Sequence, residues 1–479
     1  MFGDLREFIE KAKELGECRL IEGADWDLEI GLINEWQAST PDSPLLLFDR
    51  IKDYEAGYRV ASNLFTTPKR TALALDLPLE LTGLELVKAW REKMKGEVKL
   101  LPPVEVKDAP VKENIHTGDE VNLFEFPTPK WHKLDGGRYI GTGNMVITRD
   151  PDEGWVNLGT YRVQIHDKNI ATIYMSPGRH ADIMRRKYWE RGQSCPVVVT
   201  CGQEPVLWGV ASFPIPWGIC EYDYTGGFRN KAVEITKGVT TDLPIPATAE
   251  IALEGEIAPP ETETRIEGPF GEWTGYYGVG ARPEAAFRVK SILHRNNPII
   301  MGAPPSRFMP RFTLGKHFQK AAITWDELDK NVPGVKGVWW IEDAAAHSIA
   351  VVSIEQKYDG HAKQAASVVA GCNASGYMLR WIIVVDEDID PTNISEVLWA
   401  LGTRCDPETA TDFIRGCWGS PIDPALPPDK KGRGQFDHST GVILACKPYH
   451  WIKQFPPAIK FNPEVLEKTK NKWEKQLKS

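Results

Sequence analysis

The chain has 479 residues, enough for two or three domains, and a hydrophobic share of 42% ordinary for a globular protein. A formal net charge of −9 argues against a nucleic-acid footprint, which wants a basic face, while leaving room for a local basic pocket. No apolar run reaches the roughly 20 residues a membrane-spanning helix needs, and the first residues lack a signal-peptide pattern. Eight cysteines without a Cys-x-x-Cys pair point to reduced thiols, so a cytoplasmic protein is expected.

In chain order, Asp4 is an N-cap for a helix carrying Leu5, Phe8, Ile9, Ala12 and Leu15. Gly16 stops it, strands follow at Cys18–Ile21, Leu45–Phe48 and Tyr58–Ala61, and a second helix is expected over Pro78–Lys95. From about Gly136 to Ile300 short strands crowd between Gly, Pro and Asp turns: Tyr139–Ile147, Gly154–Ile165, Ile170–Met175, Val197–Cys201, Val206–Ala211, Ala232–Thr236, Ala249–Glu256 and Ala286–Arg295. That density predicts a β-barrel-like domain rather than a doubly wound sheet. Helices and strands then alternate, with helices over Phe318–Leu328, Gly360–Ala370 and Ile394–Gly402 and strands over Gly337–Glu342, Ser348–Ile354 and Trp381–Val385. Asn462 and Pro463 open a last, lysine-rich helix, Glu464–Leu477, with an apolar stripe that suits either its own domain or a neighbouring subunit.

Chemistry concentrates around Glu267-Gly-Pro-Phe-Gly-Glu272, where two carboxylates stand five positions apart. Helical neighbours fall three or four apart and Pro269 breaks a helix, while strand positions five apart face opposite ways. The acids converge only if the glycines let the backbone curl, giving a general acid/base pair in which one carboxyl raises the other's pKa. A surface turn with two solvated glutamates is the alternative. Upstream, Trp155-Val-Asn-Leu-Gly-Thr-Tyr-Arg162 reads as a strand in which a bulge at Gly159 brings Asn157 and Arg162 to one side. An edge strand with a surface arginine is the competing reading. Ser176 and Pro177 start a helix that puts Arg179 and His180 at its positive end, an anion or phosphate site, unless His180 is structural. A strand through Trp208 then runs into a proline-rich turn that delivers Glu221. Asn157, His180 and Glu221 offer an O/N/O set for a hard divalent cation.

With these segments the chain strongly resembles the UbiD family of prenylated-FMN-dependent decarboxylases over nearly its whole length. The resemblance is carried by Asp4–Ile9, Asn63-Leu-Phe, Asp135-Gly-Gly-Arg-Tyr-Ile140, Asn157–Arg162, Ile219–Asp223 and Glu267–Glu272, then by Gly360–Gln364, Val384–Asp390 and Val397–Arg404. It implies an α+β architecture: a small N-terminal α+β unit over 1–110, a split β-barrel cofactor domain over 111–310 and a linking helix over 311–330. An α/β oligomerisation domain over 331–460 and a C-terminal helix over 461–479 complete it, in a homo-oligomer, dimer or hexamer. The implied cofactor site comprises Asn157, Gly159, Thr160, Arg162, Arg179, His180, Ser212, Phe213 and Glu221. Within it Asn157, His180 and Glu221 hold Mn²⁺ (or Mg²⁺ or Fe²⁺), and K⁺ sits near Glu221 and the backbone of Ala211, Ser212 and Phe213. A flavin prenyltransferase supplies the prenylated FMN.

The implied reaction is reversible, non-oxidative decarboxylation of an aromatic, heteroaromatic or α,β-unsaturated acid. Arg162 positions the carboxylate, Glu272 donates the proton that replaces CO₂, and Glu267 is the ionised partner of Arg162. An aryl carboxylase, an aryl-CoA decarboxylase, a catalytically silent assembly subunit and a flavin reductase are the alternatives. Two departures from the family stand out. Ser439 occupies about the place of a family lysine, with Lys430, Lys431 and Arg433 as substitutes. The segment through Arg307, Arg311, Lys316 and His317 adds unusual positive charge and is the expected substrate cover.

Overall fold

The computed structural model describes residues 2–40, 42–96, 98–213, 215–305, 317–342, 348–459 and 462–477. Its first helix, Leu5–Glu14, is capped as the sequence predicts: an Asp4 carboxylate oxygen accepts from the Glu7 amide at 2.8 Å. Leu5, Phe8, Ile9 and Ala12 face inward onto a sheet of Cys18–Glu22, Leu45–Asp49 and Arg59–Ser62. The fourth strand of that sheet, Ile299–Met301, returns from far along the chain and pairs parallel with Arg59–Ser62. The N-terminal unit is therefore completed by the end of the central region.

The predicted helix over Pro78–Lys95 is shorter, Gly83–Lys93, because Thr82 takes extended backbone and the N-cap position. In the N-terminal unit two further helices lie outside the predicted elements. Pro68–Leu75 starts from a Thr67 cap with proline in its first turn, and Glu29–Ala38 has no capping side chain to announce it.

The central region is built on a ten-stranded sheet whose path runs from Arg138–Gly141 to Val156–Gly159 and stays open between them, a split rather than closed barrel, beside a small sheet of Pro244–Pro246, Glu234–Lys237 and Val104–Glu105. Its spine is the long strand Arg282–His294, which pairs with Ile170–Ile173, Ile251–Ile257, Thr264–Glu267 and Asn114–Thr117. Two expected strands divide: Tyr139–Ile147 becomes Arg138–Gly141 plus Asn144–Arg149, and Gly154–Ile165 becomes Val156–Gly159 plus Val163–Asp167. One expectation is overturned, because Val206–Ala211 is not a strand but most of a helix, Pro205–Ala211. Every residue of that helix is buried, so its apolar run carries no helical period to read. The deciding signal is the Glu204 carboxylate, which accepts from the amides of Val206 at 3.0 Å and Leu207 at 2.8 Å ahead of Pro205.

Helix His317–Asn331 links this region to a five-stranded α/β domain. Phe318, Ala321, Trp325 and Leu328 join the N-terminal helix and the C-terminal sheet in one continuous core. In that sheet Ile349–Ile354, Trp381–Asp386 and His438–Ala445 run parallel, flanked by the antiparallel edges Val335–Trp340 and Thr411–Cys417. The edge Thr411–Cys417 lies outside the predicted elements, and none of its residues is fully buried, so it shows no alternating apolar face to read. The last helix, Pro463–Leu477, leaves Val465, Leu466 and Trp473 exposed on this chain. No described helix is long and apolar enough to cross a membrane.

Candidate active site

Arg162 follows a break in the sheet, not the bulge expected at Gly159. The strand stops at Gly159 because the Tyr161 ring folds back over it, so that a Cβ there would lie 2.4 Å from the ring. Residues 160–162 form the gap, and pairing resumes at Val163. This break turns the Arg162 guanidinium into a closed space between the rings of Tyr174, 4.4 Å away, and Phe270, 5.1 Å away.

There it gathers both predicted acids. Arg162 Nε and Nη2 donate to the two oxygens of Glu267 at 2.7 and 2.8 Å, and Nη1 donates to Glu272. The hexapeptide curls as its glycines suggest: Gly268 has φ +81°, ahead of a cis Gly268–Pro269 peptide. The surface-turn reading is thereby overturned, since Glu267 is fully buried and Glu272 is 9% exposed. Burial works against a charged guanidinium, but Glu267 and Glu272 outweigh it and hold the Arg162 pKa above its ordinary value.

Residues that the sequence reading gave no role keep the loop curled. The Tyr139 hydroxyl and the Gly268 amide both donate to Gln164 Oε1, at 3.0 and 2.9 Å. Asp135 accepts from the amides of Gly271 at 3.0 Å and His132 at 2.9 Å, and the Gly136 amide donates to the Pro269 carbonyl at 2.8 Å. The segment Asp135–Ile140 was already marked by its resemblance, but only tertiary contacts reveal that it is the cradle of the acid loop. A second guanidinium, Arg282, stacks 3.8 Å from the Tyr174 ring and keeps Nε and Nη2 buried without hydrogen-bond partners. Its place opposite Glu267 in the sheet register could not be read from sequence spacing.

The second cluster surrounds Glu221, the first residue of helix Glu221–Arg229 rather than the end of a turn. Asn157 Nδ2 donates to Glu221 Oε1 at 2.9 Å and the Leu158 amide donates to Oε2 at 2.7 Å. Burial nevertheless pushes the Glu221 carboxyl up to about 8 against these hydrogen bonds. Asn157 Oδ1 is buried with no partner. His180 opens helix His180–Glu190 behind Arg179 and meets the rings of Trp155 and Trp217 edge-on, at 5.7 and 5.2 Å between centroids. Burial, with Arg179 beside it, holds the His180 pKa below its ordinary value, which favours the neutral imidazole a metal requires. An orphaned amide oxygen, a carboxylate in want of a cation and a neutral imidazole fit a divalent metal.

Ser212 and Phe213 follow the C-terminus of helix Pro205–Ala211, where the Ser212 hydroxyl donates to the Gly209 carbonyl at 2.6 Å. The C-terminal domain contributes Tyr377, whose ring lies 5.8 Å from the Arg179 guanidinium. Burial raises the Tyr377 pKa against a hydrogen bond with Ser420 and the charge of Arg179. The three basic substitutes considered beside Ser439 are engaged elsewhere. Lys431 donates to the Gly278 carbonyl at 2.9 Å, Lys430 pairs with Asp437 at 3.4 Å, and Arg433 pairs with Asp429 at 3.0 Å. Ser439 itself is exposed near the start of its strand. Arg307, Arg311 and the His317 side chain lie outside the described residues.

Three consecutive stretches match known domains of 3-octaprenyl-4-hydroxybenzoate carboxy-lyase: residues 9–90 the N-terminal domain, 103–308 the Rift-related domain and 312–445 the C-terminal domain. Pyrrole-2-carboxylic acid decarboxylase of Pseudomonas aeruginosa is 30% identical over 451 residues, spanning 90% of this chain and 89% of that one. The closed form of vanillic acid decarboxylase from Sedimentibacter hydroxybenzoicus superimposes with a TM-score of 0.81 at 28% identity, with 100% of both chains covered. HmfF of Pelotomaculum thermopropionicum, a UbiD-class enzyme solved with FMN, gives 0.84 at 25% identity over 97% of this chain and 98% of that one.

Proposed function

The chain belongs to the UbiD carboxy-lyase family, and from that premise we propose that it decarboxylates an aromatic, heteroaromatic or α,β-unsaturated acid with prenylated FMN and a divalent metal. The observation that carries this reading is the single buried guanidinium shared by Glu267 and Glu272. Two buried carboxyls held together on one guanidinium repel each other, which favours a proton on one of them. Glu267 takes two donors from Arg162 and faces the Tyr139 hydroxyl at 3.3 Å, contacts that favour its anion. The proton therefore belongs on Glu272, which delivers it to the carbon that CO₂ leaves.

Arg162 has a second task, to orient the substrate carboxylate by charge and fork geometry before it departs. Bound prenylated FMN supplies the electron sink for the carbon–carbon cleavage. Arg179 and His180 at a helix N-terminus would hold its phosphate, and Asn157 Oδ1, His180 and Glu221 would hold Mn²⁺ or a similar cation beside it. The same cofactor would run along Gly159, Thr160, Ser212 and Phe213. The negative end of helix Pro205–Ala211 supports a K⁺ near Ser212.

The test uses protein made alongside a flavin prenyltransferase and incubated in deuterated water with a panel of aromatic and heteroaromatic acids. Deuterium is expected in the product of at least one acid, at the carbon that has lost CO₂, and its incorporation is abolished in Glu272→Gln. Exchange that persists in that variant at the parent rate removes Glu272 as the proton donor.

A further inference from the structure

Outside this site the fold assembles a second set of metal-binding side chains. His116 stands on strand Asn114–Thr117 and His294 ends strand Arg282–His294. The antiparallel register pairs His116 with Ile292, two residues from His294, so both imidazoles emerge on one face of the sheet. A short 3₁₀ turn, Leu123–Glu125, started by Asn122 accepting from the Phe124 amide at 3.2 Å, brings Glu125 across that face. The donor atoms of His116, Glu125 and His294 all lie within 4.8 Å of one another.

The geometry points to a divalent-metal site, of zinc type, at His116, Glu125 and His294, distinct from the cluster at Glu221. His116 Nδ1 lies 3.1 Å from Glu125 Oε2 and His294 Nε2 lies 3.5 Å from Glu125 Oε1. Donors about 2.0–2.2 Å from a tetrahedral zinc stand about 3.3–3.5 Å apart. Both nitrogens are shielded from solvent, yet neither makes a hydrogen bond. His294 is 4% exposed, and its Nδ1 sits 2.9 Å from the Arg295 carbonyl. A carbonyl only accepts, so the ring proton resides on Nδ1 and Nε2 presents its lone pair to the cluster. The ring is fixed by Phe126 edge-on at 5.4 Å and by Tyr58 at 6.4 Å.

The Tyr58 hydroxyl donates to Glu125 Oε1 at 2.9 Å, the orienting contact that a ligating carboxylate receives in a metal centre. Tyr58 directly precedes the strand Arg59–Ser62, so a metal here would tie the N-terminal unit to the central sheet. Two imidazoles, one carboxylate and a water make a four-coordinate set suited to Zn²⁺. Because such a site exists only in the folded chain, occupancy stabilises the fold.

Chelator-stripped, tag-free protein is titrated with Zn²⁺ alone, with bound metal counted by elemental analysis and melting temperature followed. His180→Ala, which disables the Glu221 cluster, is expected to retain one tightly bound Zn²⁺ and a Zn²⁺-dependent rise in melting temperature. His116→Ala and Glu125→Gln in the His180→Ala background are expected to lose both. Glu125→Gln keeps the side-chain shape, and a metal-free melt matching the parent shows that the fold survives. Retention of the zinc equivalent in these double variants, or its absence from His180→Ala, overturns the site.

Discussion

Arg162 grips Glu267 through a two-pronged contact, 2.7 Å from Nε and 2.8 Å from Nη2, and turns its remaining terminal nitrogen to Glu272. One guanidinium thus treats two acids unequally. Glu272→Gln keeps the shape of the side chain but removes the transferable proton, so turnover is expected to fall by about 10²–10⁴-fold with folding intact. Glu267→Gln withdraws the charge that holds Arg162, and a buried ion pair broken on one side costs about 3–5 kcal/mol. The second variant is therefore expected to lose stability as well as activity. Urea unfolding beside deuterium exchange separates the two, and equal stability loss in both variants contradicts the assignment.

The loop that presents the acids leaves almost no room beneath it. A Cβ on Gly136 would stand 2.0 Å from the Gly268 carbonyl oxygen, a backbone atom that moves only if the acid loop moves. Gly136→Ala is expected to cost about 1–3 kcal/mol through overpacking and to reduce turnover at least tenfold by displacing Glu267. Gly280→Ala is the control, since nothing lies within 4 Å of its added methyl. Kinetics and melting curves of the two variants, with Gly280→Ala near the parent in both, would establish the effect.

Legibility divides along physical lines. The acids, Arg162, Asn157, His180 and Glu221 could be named from residue chemistry and family resemblance, and the structure joins Arg162 to both acids and Asn157 to Glu221. Helices with a visible cap and stripe, such as Leu5–Glu14 and Ile394–Arg404, could be read because one face meets water. Pro205–Ala211 could not, because a helix buried on every side has no period in its apolar pattern. The supporting residues were hidden for a different reason. Gln164, Asp135, Arg282 and Tyr377 act through contacts made across the fold, and no local spacing encodes them. The metal-ligand chemistry of His116 and His294 is equally silent, since the two lie 178 positions apart and meet only through the strand register.

The resemblance segments of the C-terminal half have a structural role. Arg404, whose side chain is 1% exposed, donates to Asp386 at 2.8 Å and to both oxygens of Asp388 at 2.8 and 3.0 Å, and Lys447 pairs with Asp388 at 3.2 Å. Arg404→Ala strands two carboxylates and is expected to destabilise the protein by about 3–5 kcal/mol. Burial opposes ionisation of Asp388, but Arg404 and Lys447 prevail and hold its carboxyl at about 2, below the ordinary 3.8. A depressed carboxyl contributes stability that is present above the ordinary pKa and lost as pH falls through the folded value. Parent protein is expected to lose stability between about pH 4 and pH 2, with a shallower loss in Asp388→Asn, as tryptophan-detected unfolding would show.

Glu221 gives the opposite sign. Its carboxyl is pushed up to about 8 from an ordinary 4.5, so the folded, metal-free chain holds that proton more tightly than the unfolded one. Stability of the stripped protein is therefore expected to decline as pH rises from about 4.5 to about 8, and to recover on adding Mn²⁺. Metal needs the carboxylate, so binding below pH 8 must expel one proton, and the apparent dissociation constant should weaken about tenfold for each unit of pH lost. His180, already held below its ordinary 6.5 by burial, adds no further slope above that value. Glu221→Gln should weaken Mn²⁺ binding and abolish its pH dependence, because the titrating group is gone while Asn157 Nδ2 keeps an oxygen to meet. Calorimetric titration of Mn²⁺ in buffers of different ionisation enthalpy reads the released proton directly. A slope that survives in Glu221→Gln would move the proton to another group and detach Glu221 from the metal.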